Sequence, residues 1–246
     1  MNLFPGFKSR KVRTSGATIN LVTGGSGPAV LLLHGYPETH VLWHKVAPAL
    51  ARDYTVVCAD LRGYGDSAKP PGDADHANYS KRAMALDMAE LMAQLGHDRF
   101  ALVGHDRGGR VAHRLALDHA QRVTRLCLID IAPTLDMYDA TDMRFASLYY
   151  HWFHLIQPAP LPERMLGGDP KFCLHWALGG WGSKGTDHWI AICSPTFACQ
   201  RATSDSLCRL STPASAACSR SASNDSLPTL CNRPASNASA SPQPPH

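Results

Sequence analysis

An α/β fold, with a mostly parallel sheet covered on both faces by helices, is what this sequence predicts, on three observations. Short apolar runs without polar alternation recur between residues 29 and 129. Helical segments punctuated by glycine separate them. One run passes into a helix through Gly104-His105-Asp106-Arg107-Gly108, a tight turn with a carboxylate at its apex. Strands buried on both faces read as continuous apolar segments, and their alternation with helices implies parallel pairing through crossovers.

The elements follow in chain order. Lys11–Thr14 and Thr18–Val22 are expected to form a strand pair around Ser15-Gly16, and Ala29–Leu33 a buried strand. Trp43–Ala51 is expected to be a helix and Thr55–Ala59 a strand. Ser80–Leu95 has helical spacing, with Ser80 as N-cap and Gly96 at its C-terminal end. Phe100–Val103 is a strand, Gly109–His119 a helix and Leu126–Ile129 a further strand. From Thr134 to about Trp189 the texture changes to aromatic-rich helices, with Ser147 to Leu155 the clearest. That stretch reads as an insertion over the carboxyl edge of the sheet, where sites of α/β proteins form. The domain organisation expected is a core over residues 1–133, a helical cap over 134–190 and a low-complexity, disordered tail over 191–246.

Composition narrows the class. A chain of 246 residues can bury one large core, and a net charge of +4 with scattered basic residues gives no footprint for nucleic acid. The most apolar strand is too short to span a bilayer, and Met1–Arg10 has no apolar core followed by a cleavage site. A cytoplasmic, reducing compartment is therefore expected, with Cys58, Cys127 and Cys173 as buried thiols. The other five of the eight cysteines fall in the tail, which is dense in Ser, Ala, Pro and Thr and has no sustained period of 2 or 3.6. Such a tail cannot build a packed core, and its composition suggests out-of-frame translation.

The chemistry centres on Asp106. Gly104 and Gly108 form a G-x-D-x-G elbow, which permits the sharp turn and the close helix–strand approach that side chains would block. A simple helix-capping aspartate would not need them. An aspartate there is already anionic and needs no base to attack a saturated carbon. Arg107 and Arg110 lie beside it, Arg110 four residues on and so on the same face. Guanidinium forks of this kind recognise a carboxylate, or they neutralise Asp106. Asp130 ends a buried strand, as an acid or as a turn cap. His151 and His154 share one side of a helix, and spacing does not choose between them. Asp60 and Asp66 read as structural, and Gly24-Gly25-Ser26-Gly27 as a turn between strands rather than a dinucleotide loop. No group of histidines has metal-ligand spacing, so no metal is expected.

Four segments in order carry a resemblance: His34-Gly35-Tyr36-Pro37, Asp60-Leu61-Arg62-Gly63-Tyr64-Gly65-Asp66-Ser67, the aspartate elbow, and Asp130-Ile131-Ala132-Pro133-Thr134. The chain resembles the α/β-hydrolase fold in its aspartate-nucleophile branch, which holds epoxide hydrolases and dehalogenases. Asp106-Arg107-Gly108-Gly109-Arg110 and His151-Trp152 are most similar to the haloacetate dehalogenases, including those acting on fluoroacetate. The resemblance runs from about residue 5 to about residue 188. It implies Asp106 as nucleophile, Asp130 as the acid that orients a histidine, and Arg107 and Arg110 as the substrate clamp. It further implies Tyr36 near the oxyanion position, His151 and Trp152 as donors to the departing halide, and Trp181 at the entrance.

The family's catalytic histidine follows two late strands. The sequence has neither those strands nor a histidine between His188 and His246, so the fold is expected to lack its last core strands and turnover to be impaired. The function expected is cleavage of 2-haloacids to 2-hydroxyacids and halide, with no cofactor beyond water. The partner expected is a small molecule, with no nucleic acid and no membrane, and a homodimer is left open. Epoxide hydrolase is the second reading, against which Arg107 counts, because that group usually has tryptophan after its nucleophile. A misfolded or non-catalytic truncated product is the third.

Overall fold

The computed structural model describes residues 2–179. Six strands form one sheet: β1 (Lys8–Arg13), β2 (Thr18–Gly24), β3 (Ala29–Leu33), β4 (Thr55–Ala59), β5 (Phe100–His105) and β6 (Val123–Ile129). Their spatial order is β1-β2-β4-β3-β5-β6. The β1–β2 and β2–β4 pairs are antiparallel; β4, β3, β5 and β6 run parallel. β3 is flanked on both edges and buried throughout, as its unbroken Ala29-Val30-Leu31-Leu32-Leu33 requires. Its residues divide by the pleat. Leu31 and Leu33 join one core cluster; Val30 and Leu32 join the other.

The first cluster lies under α2 (Lys81–Gln94) and α3 (Asp106–Asp118), which supply Met84, Met88, Leu91, Val111 and Leu115. The second lies under Val41, Trp43 and Ala47. α2 starts where the sequence places its cap: the Ser80 side chain accepts the Ala83 N–H at 3.2 Å, and Gly96 follows the helix at φ +84°. Among the described residues five helices follow β6: α4 (Thr134–Asp139), α5 (Met143–Leu148), α6 (Tyr150–His154), α7 (Leu161–Gly168) and α8 (Pro170–Gly179).

Several expectations need correction. Trp43–Ala51 is not one helix. A 3-10 turn over His40–Lys45 is followed by α1 (Ala47–Leu50), whose first turn holds Pro48, a residue with no N–H to continue a preceding helix. The helix expected over Ser147–Leu155 is broken at Tyr149 (φ −110°, ψ 35°), between α5 and α6. Tyr149 caps α5 there, and its ring stacks on Phe145, one helical turn earlier, at 4.9 Å. α3 begins at Asp106, three residues before the expected Gly109, and β5 extends to His105. Cys58 is buried, but Cys127 is exposed and Cys173 half-buried. Cys127 lies on β6, which among the described residues pairs with β5 alone. The tail, its cysteines and the expected loss of late strands lie outside the described residues.

Candidate active site

The site grows from the turn between β5 and α3. Asp106 has φ +45°, a left-handed conformation that L-residues with a Cβ adopt at a cost. The turn persists because the helix is pressed onto the sheet. A Cβ on Gly104 would lie 2.4 Å from the Gly108 carbonyl oxygen; one on Gly108 would lie 2.5 Å from the carbonyl oxygens of Leu33 and His34. Both glycines of the elbow are thus required by close backbone approach, and the strained residue is the one aimed into the cavity.

The Asp106 carboxylate is held from two backbone segments. Its Oδ1 accepts the Tyr36 N–H at 2.9 Å, and the Arg107 N–H also bonds to the carboxylate. Burial favours its neutral form, but the guanidiniums of Arg110 and Arg107 and the two amides outweigh burial and hold the pKa below the ordinary carboxylate value. Asp106 is therefore an anion at neutral pH. Arg107 is 3 % exposed and lies 5.9 Å from the Tyr36 ring. Arg110 lies face-on to the Trp152 indole at 4.3 Å. Its buried Nε has no hydrogen-bond partner among the described residues. A buried donor left without an acceptor is costly, so the guanidinium edge is ready for an anionic ligand.

The loop that carries Tyr36 is braced by charge and hydrogen bonds. Glu38 Oε2 accepts the Gly35 N–H at 2.8 Å and the His105 Nδ1–H at 3.0 Å. Burial alone would lower the His105 pKa, but Glu38 raises it. His34 is buried; its Nε2 accepts the Leu61 N–H at 3.0 Å, so Nδ1 carries the proton and donates to the Gly35 carbonyl at 2.9 Å. Asp60 behaves as the structural acid expected. It accepts Asn20 Nδ2–H at 2.9 Å, the His40 N–H at 2.7 Å and the Asp66 N–H at 3.0 Å. Burial opposes its charge, yet the His40 hydrogen bond and charge hold it at about 2. Asp66 joins this turn through its backbone.

Two connected spaces open on Asp106. An inner cavity of about 10 Å³, room for about one water, is walled by Asp106, Arg107, Arg110, Tyr138, His151 and Trp152. An outer vestibule of about 550 Å³ reaches Asp106 past His105, Asp130 and Tyr149. Of the two candidate histidines, His151 lines both spaces and His154 neither. The His151 ring stacks on Tyr36 at 6.0 Å, and burial brings its pKa down to about 4, so it is a neutral imidazole. Asp130 lies in the vestibule, exposed, with φ +52°, and makes no side-chain hydrogen bond among the described residues. No cluster of metal-ligating side chains occurs among the described residues. No described helix is long and apolar enough to cross a membrane. Trp181 lies outside the described residues.

Three contributors escaped the sequence reading. Tyr138 on α4 walls the inner cavity, and its hydroxyl donates to the Trp152 carbonyl at 3.4 Å. Glu38 braces the Gly35 amide and His105 beside Asp106, and the Asp106 charge acts on Lys81, whose local sequence carries no mark. Position +4 in His34-Gly35-Tyr36-Pro37-Glu38 is the one weak signal, since an acid so close to a site loop has a loop amide within reach.

Comparison with known proteins agrees with this geometry. The model of the alpha/beta hydrolase fold family matches residues 28–179. A fluoroacetate dehalogenase of Burkholderia sp is 56% identical over 185 residues, 75% of this chain and 61% of that protein. A soluble epoxide hydrolase of Corynebacterium sp. (strain C12) is 44% identical over 121 residues, 49% of this chain and 41% of that protein. The chain thus spans less than two thirds of the length of these relatives. Among solved structures, ALR0039 from Nostoc sp PCC 7120, classed with the α/β hydrolases, superposes with a TM-score of 0.81 at 50% identity over 85% of this chain and 72% of its own. A parallel sheet whose strand β5 turns through a strained acid into α3, matched by the family model over more than half of its residues, makes this chain a member of the α/β-hydrolase fold family.

Proposed function

We propose that this hydrolase cleaves the carbon–halogen bond of small 2-haloacids with Asp106 as nucleophile. The observation that carries the reading is the ionised, strained Asp106 beside the buried Arg107 and beside Arg110, whose buried Nε has no partner among the described residues. Similarity to the fluoroacetate dehalogenase supports it. Arg107 and Arg110 would hold the substrate carboxylate, leaving the halogen-bearing carbon against the Asp106 oxygen that does not bond the Tyr36 amide. That oxygen forms a C–O bond as the C–halogen pair departs with the halide. The neutral His151 and the Trp152 indole are the donors that stabilise it. An ester of Asp106 results, and its carbonyl oxygen is the one bonded to the Tyr36 amide. Water added to that carbonyl carbon would place negative charge on the same oxygen, and collapse would release the 2-hydroxyacid, a proton and the Asp106 carboxylate.

The second half-reaction needs a base to activate water, the role the family gives to a histidine oriented by Asp130. The expectation carried from the sequence is that halide release outruns ester hydrolysis, and Asp130 makes no histidine bond among the described residues. The division into core (1–133), cap (134–190) and tail (191–246) belongs to this proposal. The test is intact mass after incubation with chloroacetate, in the unaltered chain and in Arg110→Ala. The expected result is one carboxymethyl group on Asp106 in the former. A charge-assisted hydrogen bond is worth ~1.5–3 kcal/mol, so ester formation in Arg110→Ala should slow by roughly 10- to 100-fold. A glycidyl substrate that reacts while chloroacetate does not, unaffected by Arg110→Ala, would favour epoxide hydrolysis instead.

A further inference from the structure

Arg110 lies one turn into α3, and among the described residues no hydrogen bond fixes its guanidinium; the buried Nε has no partner there. Attraction to Asp106 and repulsion from Arg107 act on its charge and not on the plane in which its donors lie. What lies against it is the Trp152 ring, with the guanidinium carbon over that ring at 4.3 Å from the centroid. A planar guanidinium stacks on an aromatic face, and the attraction is largest where water is excluded. Trp152 is 5 % exposed, so this contact is withdrawn from solvent. The donors of a guanidinium point outward in its own plane, so a ring over its face leaves them free for a carboxylate that approaches edge-on.

The indole is itself held by the helices that follow β6. The Tyr138 ring, on α4, lies 5.5 Å from that of Trp152, and its hydroxyl donates to the Trp152 carbonyl at 3.4 Å. Phe145, on α5, meets the Trp152 ring edge-on at 6.1 Å. Tyr138 and Phe145 also meet Phe153, the next residue on α6, edge-on at 5.9 Å and 6.1 Å. α4, α5 and α6 thus converge on one indole, and that indole lies on an arginine of α3. Resting on the carboxylate-substrate reading above, we propose that the face of Trp152 is the positioning surface for Arg110, with Tyr138 and Phe145 keeping it in place. The stack presents the guanidinium edge to the inner cavity, which Arg110, Trp152 and Tyr138 all line. Trp152 then has two separable roles. Its face acts through Arg110 on any carboxylate, and its N–H edge serves only a departing halide.

The experiment is calorimetric titration of the full chain with acetate, a carboxylate without a leaving group, so that the N–H edge has nothing to act on. Trp152→Leu should raise the acetate Kd by about 2- to 30-fold, the span of cation–π attraction from exposed to desolvated sites. Trp152→Phe keeps a ring face and loses the N–H, and it should recover most of that affinity. In an Arg110→Ala background Trp152→Leu should add nothing, because the two changes remove one interaction. Tyr138→Leu should raise the Kd in the same direction by a smaller factor, and it decides the matter if Trp152→Leu does not fold. An unchanged Kd in the folded variant, an equal loss with and without Arg110, or Trp152→Phe losing as much affinity as Trp152→Leu overturns the inference alone. Failure of acetate to bind the unaltered chain overturns the carboxylate reading and this inference together.

Discussion

Single residues here are held in protonation states that water would not give them, and this couples stability to pH. His151 has its pKa lowered from 6.5 to about 4 by burial. Its unfolded form therefore binds a proton that the folded form refuses, and stability is lost as pH falls from about 6.5 towards about 4. His34 and His113, neutral through burial, act in the same direction. Asp60, at about 2 against 3.8, contributes stability that is complete above the higher value and lost as pH falls through about 2. Urea unfolding followed against pH should thus show two acid limbs. His151→Gln should make the upper limb shallower, leaving the share of His34 and His113, and should not change the lower one. An upper limb unchanged in that variant would mean that His151 is solvated. Around the site, motif and spacing marked Asp106, Arg107 and Arg110, and the family resemblance alone marked His151. Spacing left His151 and His154 equal, because two residues on one helix side differ only in what that side faces.

At the scale of elements, the elbow depends on α3 lying closer to the sheet than side chains allow. Gly108→Ala would put a Cβ 2.5 Å from two carbonyl oxygens of the β3 end, neither of which can rotate away. Overpacking of this kind costs ~1–3 kcal/mol. Thermal unfolding should report that loss, and halide release should fall with it, since the Asp106 geometry moves with the helix. An unchanged midpoint would show that α3 can retreat from the sheet. The glycines were readable because a tight turn leaves a mark in the chain. α2 was readable to within one residue at each end for the same reason: Ser80 and Gly96 are local signals. The break at Tyr149 and the split of the first helix around Val46 were not, because neither Val46 nor Tyr149 is a glycine or a capping residue of the kind that marks a helix end in the chain.

For the molecule as a whole, β6 sets the boundary of what the described residues build. Leu126, Leu128 and Ile129 are each about two fifths exposed, and the strand's outer edge carries unpaired amides and carbonyls among the described residues. Such an edge pairs readily with another chain. Leu126→Lys should lower the self-association seen by light scattering at high concentration and leave the unfolding midpoint within about 0.5 kcal/mol of the unaltered chain. Equal scattering in both would place any association elsewhere.

By itself the sequence determined the parallel α/β class, the elbow with its aspartate, and the arginine pair. Each of these is written in local order: apolar runs, glycines at fixed offsets, residues one helical turn apart. Only the tertiary structure decided that Tyr138 walls the Asp106 cavity, that Glu38 braces the loop beside it, that His151 rather than His154 faces it, and that Asp130 lies exposed in the vestibule. Those outcomes depend on which surfaces meet once the sheet is covered, and charge and burial at a meeting point are set by partners distant along the chain.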